Sequence, residues 1–222
     1  MQSGYSNLAF ETDFFNYLLR YYYRCFNYMT TEEINYTNEL WQLAHSFANY
    51  TNEHLFVTGK AGTGKTTFLR QVISNSNKRH VVLAPTGVAA MNAKGVTLNS
   101  FFQIPPGYYL PVFADIPGKA IYSIKNILNN INYSSAKKEL IRRLESIIID
   151  EVSMVRPDQI DLLDEILRAS RGSNIPFGGV QLILIGDLFQ LPPVITTEIF
   201  ATYSNIIRQG SFLMPPLSRA QN

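Results

Sequence analysis

The stretch Gly59-Lys60-Ala61-Gly62-Thr63-Gly64-Lys65-Thr66-Thr67 brings glycines, a lysine and hydroxyl side chains together at a spacing suited to holding a chain of phosphates. Gly59, four residues, then Gly64, Lys65 and Thr66 fill every fixed position of the P-loop pattern. Glycines admit backbone angles that a Cβ forbids, so successive N–H groups can converge on one anion at the positive end of a following helix. In that arrangement Lys65 reaches the β- and γ-phosphates, and the Thr66 hydroxyl ligates the Mg²⁺ that bridges them. A second chemical signal is Ile147-Ile148-Ile149-Asp150-Glu151, an apolar run ending in paired carboxylates. Asp150 is placed to hold the metal, and Glu151 to orient and deprotonate an attacking water; helix capping by the pair is the plain alternative.

These groups need a sheet that delivers them to one edge. Leu55-Phe56-Val57 reads as a buried strand before the P-loop, and Thr66-Thr67-Phe68-Leu69 as the first turns of the helix after it. His80 to Ala84, Ile147 to Ile149 and Val180 to Ile185 are further short apolar strands. In an open α/β sheet ligands sit beyond the carboxyl ends of strands, so the turns after each strand share one edge. That edge receives Pro85-Thr86-Gly87, the Asp150-Glu151 pair, and Gln190 of Gly186-Asp187-Leu188-Phe189-Gln190. Gln190 is placed to sense a γ-phosphate or its water, or else is an ordinary turn glutamine. Thr86 either holds a phosphate of a polymer or caps a helix, and capping is favoured on the residues alone. The adjacent pair Phe101-Phe102 either stacks a base or fills the core.

Helical spacing of Leu40, Leu43, Ala44 and Phe47 predicts a helix over 38–50, on which Gln42 either pairs with adenine or is simply solvated. Residues 103–119 hold four of the eleven prolines, so neither helix nor strand is expected there, only an ordered surface loop. Lys137, Lys138, Arg142 and Arg143 fall on a helix from about residue 135 and read as a solvated face. A further helix is expected over 157–169.

The chain has 222 residues, 46% of them hydrophobic, and a formal charge of only +2, so one main domain is expected and any nucleic-acid contact must be local. Cys25 stands alone, which excludes an intrachain disulfide and fits a reducing compartment. No apolar run approaches the length of a membrane span, so no membrane partner is expected and the localisation read from the sequence is cytoplasmic, of the bacterial type. Residues 1–28 are dense in Tyr and Phe and read as an appendage; 29–197 read as the catalytic domain, and 198–222 as a tail.

Taken together, GKAGTGKTT, APTGVAA, TLNSFFQIP, IIIDEVSM and GGVQLILIGDLFQLPPV resemble the first RecA-like motor domain of the petite integration frequency (Pif) helicases of superfamily 1B, related to RecD. The resemblance covers about residues 36–197. It implies an α/β P-loop NTPase fold, a RecA-like parallel sheet with helices on both faces, and an ATP-dependent 5′ to 3′ DNA helicase lineage tied to repair, recombination and telomere maintenance. By matching position it implies ATP and Mg²⁺ as cofactors, with Gly59, Ala61, Gly62, Thr63, Gly64, Lys65, Thr66 and Thr67 around the phosphates and Gln42 near adenine. Thr66 and Asp150 become the metal ligands, and Lys65, Glu151 and Gln190 the catalytic set. Pro85, Thr86, Gly87, Asn99, Ser100 and Phe101 become contacts to single-stranded or forked DNA, and the proline-rich loop resembles a strand-separating wedge.

Two departures carry expectations. Asn99 stands where the family usually has histidine, keeping a hydrogen-bonding group without the ring. No second RecA-like domain is readable, so a monomer that binds nucleotide and turns it over slowly is expected, because an arginine finger is commonly worth about 10³ to 10⁵ in turnover. Two other readings compete with a motor domain. One is a single-strand or partner binding module with a vestigial ATP site, and the other an oligomeric NTPase switch using Arg168 or Arg171 in a second copy.

Overall fold

The computed structural model describes residues 39–60, 62–110, 118, 120–187 and 190. The aromatic segment 1–28, Ala61, residues 111–117 and 119 of the proline-rich loop, and the tail 198–222 lie outside the described residues. In chain order the elements are α1 (Glu39–Tyr50), β1 (Leu55–Thr58), α2 (Lys65–Asn75), β2 (His80–Ala84), α3 (Gly87–Asn92), β3 (Val96–Thr97), α4 (Leu98–Phe102) and β4 (Tyr108–Leu110). They continue with β5 (Ile121–Ser123), α5 (Ile124–Asn130), α6 (Ser135–Arg143), β6 (Ser146–Ile149), a 3₁₀ turn (Val152–Met154), α7 (Pro157–Arg171), a second 3₁₀ turn (Pro176–Gly179) and β7 (Gln181–Gly186).

Five strands form one sheet in the order β1-β7-β6-β2-β3, and every neighbouring pair is parallel. The two central strands carry the most apolar sequence, and every residue of β6 and β7 is buried. Side-chain alternation divides them between two cores. Ile147, Ile149, Leu182 and Leu184 join α4 to α7 on one face, whereas Ile148, Ile183 and Ile185 join α1 and α2 on the other. The expected α/β architecture, a parallel sheet with helices on both faces, is therefore present. Among the described residues no helix is long and apolar enough to cross a membrane.

The proline-rich stretch differs from expectation. Tyr108-Tyr109-Leu110, a proline-free run of strand formers, makes β4 and pairs in parallel with β5. A buried carboxylate anchors it: Asp158 of α7 accepts the Tyr109 N–H at 3.0 Å and two bonds from Arg156 at 2.9 and 3.0 Å. The Arg156 guanidinium also lies 4.4 Å from the centre of the Tyr108 ring and donates to the Gly107 carbonyl at 2.5 Å.

At the amino ends of the strands a polar cluster fastens α1 to the sheet. Gln181 is fully buried and donates to the carbonyls of Phe47 (3.0 Å) and Glu53 (2.7 Å). The Lys78 ammonium donates to Gln181 Oε1 at 2.6 Å, to the Ala48 carbonyl at 2.9 Å and to the Thr51 carbonyl. It thereby satisfies helix-end carbonyls that α1 cannot satisfy internally, and burial lowers its pKa. Lys78→Ala should leave these acceptors unpaired and cost about 2 kcal/mol; urea unfolding should show a lower midpoint at an unchanged slope.

Candidate functional site

The site is assembled from three neighbouring strand ends. β1 opens into the P-loop, where Gly62 (φ 83°) and Gly64 (φ 93°) hold left-handed backbone that other residues adopt only with strain. No side chain caps α2, so its first-turn N–H groups remain for an anion. The Lys65 ammonium is folded onto the loop, donating to the carbonyls of Gly59 at 2.5 Å and Lys60 at 3.0 Å. Thr63 is tied down by its own hydroxyl, which donates to the Lys60 carbonyl at 2.8 Å, whereas Thr66 and Thr67 are exposed at the start of α2.

β6 ends in Asp150, whose N–H continues the ladder to the Leu83 carbonyl at 2.9 Å and whose Oδ1 accepts the Glu151 N–H at 3.0 Å. Glu151 takes a left-handed backbone (φ 52°), a strained conformation for a residue with a side chain, and starts the 3₁₀ turn through Met154 N–H to its carbonyl at 3.0 Å. Burial pushes both carboxyls above their ordinary range. Asp150 and then Asp187 push Glu151 further up, and Lys65 pulls both down. This mutual influence puts the lysine and the carboxylates in one electrostatic unit.

β7 lies between β1 and β6, so its end falls between the P-loop and the carboxylate pair. Gly186 is required there by close approach, since a Cβ would lie 2.9 Å from the Val152 side chain and 3.1 Å from its backbone nitrogen. The next residue, Asp187, is buried, and it holds the exposed Gln190 by two contacts, Gln190 N–H to its carbonyl at 3.0 Å and Gln190 Nε2 to Oδ2 at 3.2 Å. The sequence reading named Gln190 and passed over Asp187; the rule that strand ends deliver polar groups to this edge would have found it.

α1 lies against α2. The Trp41 ring meets Phe68 edge-on at 5.4 Å, donates to Gln71 at 3.1 Å, and comes within 3.7 Å of where a Cβ on Gly64 would sit. Gln42 is therefore next to the P-loop end of α2, exposed on the helix.

The six residues expected to contact a strand divide into two groups. Pro85, Thr86 and Gly87 follow β2, and the Thr86 hydroxyl accepts the Ala89 N–H at 3.2 Å, the cap that the residues alone favoured. Asn99, Ser100 and Phe101 lie on α4 after β3, at the opposite end of the sheet from β1. Four strand spacings separate them from the P-loop strand, roughly 19 Å. The Asn99 amide donates to Tyr109 Oη at 2.8 Å and to the Pro105 carbonyl at 3.2 Å, and its oxygen accepts from Gln159 at 3.3 Å, so its bonding capacity is used inside the protein. Buried in the same network, the Tyr109 hydroxyl is pushed up to about 12. Phe102 fills the core, while half-buried Phe101 has the Lys137 ammonium 3.4 Å from its ring centre. Lys137 thus departs from the solvated face expected for its helix, and burial lowers its pKa.

Arg168 pairs with Asp164 at 2.8 Å, and Arg171 donates to the carbonyls of Gly178, Arg142 and Leu144 at 2.7, 2.6 and 2.9 Å. Both guanidinium groups are bonded to partners within the fold.

The model of the PIF1-like helicase family matches residues 36–210. The ATP-dependent DNA helicase PIF1 of Emericella nidulans is 37% identical over 149 residues, covering 64% of this chain and 18% of that protein. PIF5 of Trypanosoma brucei brucei is 41% identical over 145 residues, covering 64% and 14%. The chain thus spans less than a fifth of either relative. Among solved structures, Bacteroides Pif1 in complex with ADP-AlF3 and single-stranded DNA is 43% identical with a TM-score of 0.63, covering 79% of this chain and 37% of that one.

Because the folded Glu151 carboxyl titrates above its unfolded value, stability is lost as pH rises from the ordinary carboxylate range through that raised value. Glu151→Gln should therefore melt at a higher temperature than the parent at pH 8, with the difference shrinking to nothing near pH 4, as read by calorimetry across that range.

Proposed function

Because the chain belongs to the PIF1-like helicase family, we propose that it is the nucleotide-binding motor domain of an ATP-dependent DNA helicase, binding Mg-ATP and single-stranded DNA and working on forked substrates in the 5′ to 3′ direction. The observation that carries this reading is the electrostatic unit of Lys65, Asp150, Glu151 and Asp187 at the ends of β1, β6 and β7. Asp150 and Glu151 beside one lysine, with Asp187 acting on Glu151, leave negative charge that a divalent cation suits, and Thr66 and Asp150 are the residues to hold Mg²⁺. Held there, a divalent cation would supply positive charge against the phosphate oxygens.

The chain's own groups have separable roles in this reading. Lys65 leaves the carbonyls of Gly59 and Lys60 for the phosphates, and the uncapped N–H groups of α2 take the remaining anionic oxygens. Glu151, with its affinity for protons raised by burial, accepts one from the attacking water. Gln190, steadied by Asp187, sits at the end of the strand between the other two and senses the γ-phosphate. Pro85 to Gly87 and the α4 segment carry the strand, with Ser100 and Phe101 the more available side chains and Asn99 bracing them from within. A monomer in the cytoplasm is the working state.

Two measurements test this. Lys65→Ala should weaken Mg-ATP binding roughly 10- to 100-fold, the equivalent of one or two lost bonds to charged groups; unchanged affinity by calorimetric titration would overturn the nucleotide site. Glu151→Gln should keep nucleotide affinity and lower DNA-stimulated turnover by about 10²-fold or more. Strand affinity indifferent to nucleotide and to Lys65 would instead favour a plain single-strand binding module.

A further inference from the structure

Beyond the nucleotide site, the structure holds a cavity of about 290 Å³ between the end of α4, β5 and α5. That lies just below the roughly 300–1,000 Å³ of small-molecule sites, so it suits a single planar ring system better than a whole nucleotide. Its lining is neutral: no lysine, arginine or carboxylate takes part. Phosphate and metal are thereby poor ligands, and four carboxamides decide its chemistry, Gln103, Asn126, Asn130 and Asn132. Each carboxamide both donates and accepts, the pairing that the edge of a nucleobase offers in return.

The placement of these groups is built rather than incidental. Asn126 and Asn130 are four residues apart on α5 and share its face. Gln103 ends α4 in a left-handed backbone (φ 52°), where glycine or asparagine would be less strained. Gln103, Asn130 and Asn132 make no side-chain hydrogen bond among the described residues. Tyr122 supplies an aromatic wall; its ring stacks on buried Tyr109 at 6.4 Å and 28°, and a Cβ on Gly107 would meet it at 2.5 Å, so it has little room to turn. Ile127 and Tyr133 close the apolar side, with the Tyr133 hydroxyl spent on the Phe102 carbonyl at 2.7 Å. Gln103, which lines the cavity, follows Phe102 directly in the chain, so the cavity adjoins the α4 segment that carries Ser100 and Phe101.

We propose that this cavity receives one unpaired nucleobase, its edge held by the carboxamides and its face against Tyr122. The inference rests on the single-strand reading above. A base held there would be removed from pairing beside β5.

The test uses the full chain and two fluorescent strands of equal length and phosphate number, one with bases and one abasic, with anisotropy read at several salt concentrations. The variant is Gln103→Ala combined with Asn130→Ala and Asn132→Ala, three side chains with no internal bond to lose, its melting temperature checked against the parent. The parent should prefer the base-bearing strand by roughly tenfold, and the variant should lose most of that preference while both keep the same salt slope. A variant that retains the preference, or a parent that shows none, overturns the proposal. Should the parent bind neither strand, the single-strand reading fails by itself; side-chain amide NMR shifts on adding free nucleosides, absent in the variant, then assign the cavity to a free nucleoside, and no shift overturns it.

Discussion

Everything functional in this molecule depends on all five strands running the same way. A parallel sheet places every carboxyl end on one edge, and each loop that leaves that edge can carry one reactive group. Parallel strands also need helices as crossovers, which cover both faces and leave the strands with apolar side chains throughout. Ile147, Ile148 and Ile149 are the expression of that demand, and Asp150 and Glu151 are what the demand delivers to the edge.

Charge concentration is the second constraint. Asp150, Glu151 and Asp187 share a partly desolvated space with one lysine, and burial raises the first two carboxyls. Like charges in low dielectric are unfavourable without a counter-charge. The fold meets this in small ways: Glu151 N–H bonds to Asp150, Gln190 bonds to Asp187, and the Lys65 charge acts on the pair.

The α4 segment is mechanically joined to the Asp150–Glu151 turn, although it lies at the other end of the sheet. The turn that begins at Glu151 leads straight into Arg156, Asp158 and Gln159 at the start of α7. Those three residues hold Tyr108, Tyr109 and Asn99, the last through Gln159 Nε2. Four residues, Val152 to Val155, thus connect the strained Glu151 with the helix start that holds the β4 strand and the α4 helix. Asp158 and Gln159, which make these bonds, are buried, so a shift at either end is felt at the other.

Much of this was legible in the residues. The P-loop pattern, the apolar runs and the acidic pair sufficed for the fold class, for the strand limits near 55–58, 80–84, 146–149 and 181–186, and for the family. These signals are local: hydrophobic periodicity and motif spacing are written in consecutive residues, and a parallel sheet needs no more than that to put their ends on one edge. What the residues left open was decided between distant segments. Only packing inserted β7 between β1 and β6 and so brought buried Asp187 beside Glu151, a neighbour 36 positions away in the sequence. Only packing paired Tyr108 to Leu110 with β5 in a stretch whose prolines argued for no strand, because the stabilising partner, Asp158, lies on a helix that the loop's own composition cannot report. Asn99 turned inward, Lys137 laid its ammonium over Phe101, and Arg168 and Arg171 were spent on carboxylate and carbonyls for the same reason. A polar side chain goes where its hydrogen bonds can be satisfied, and its available partners exist only once the chain has folded.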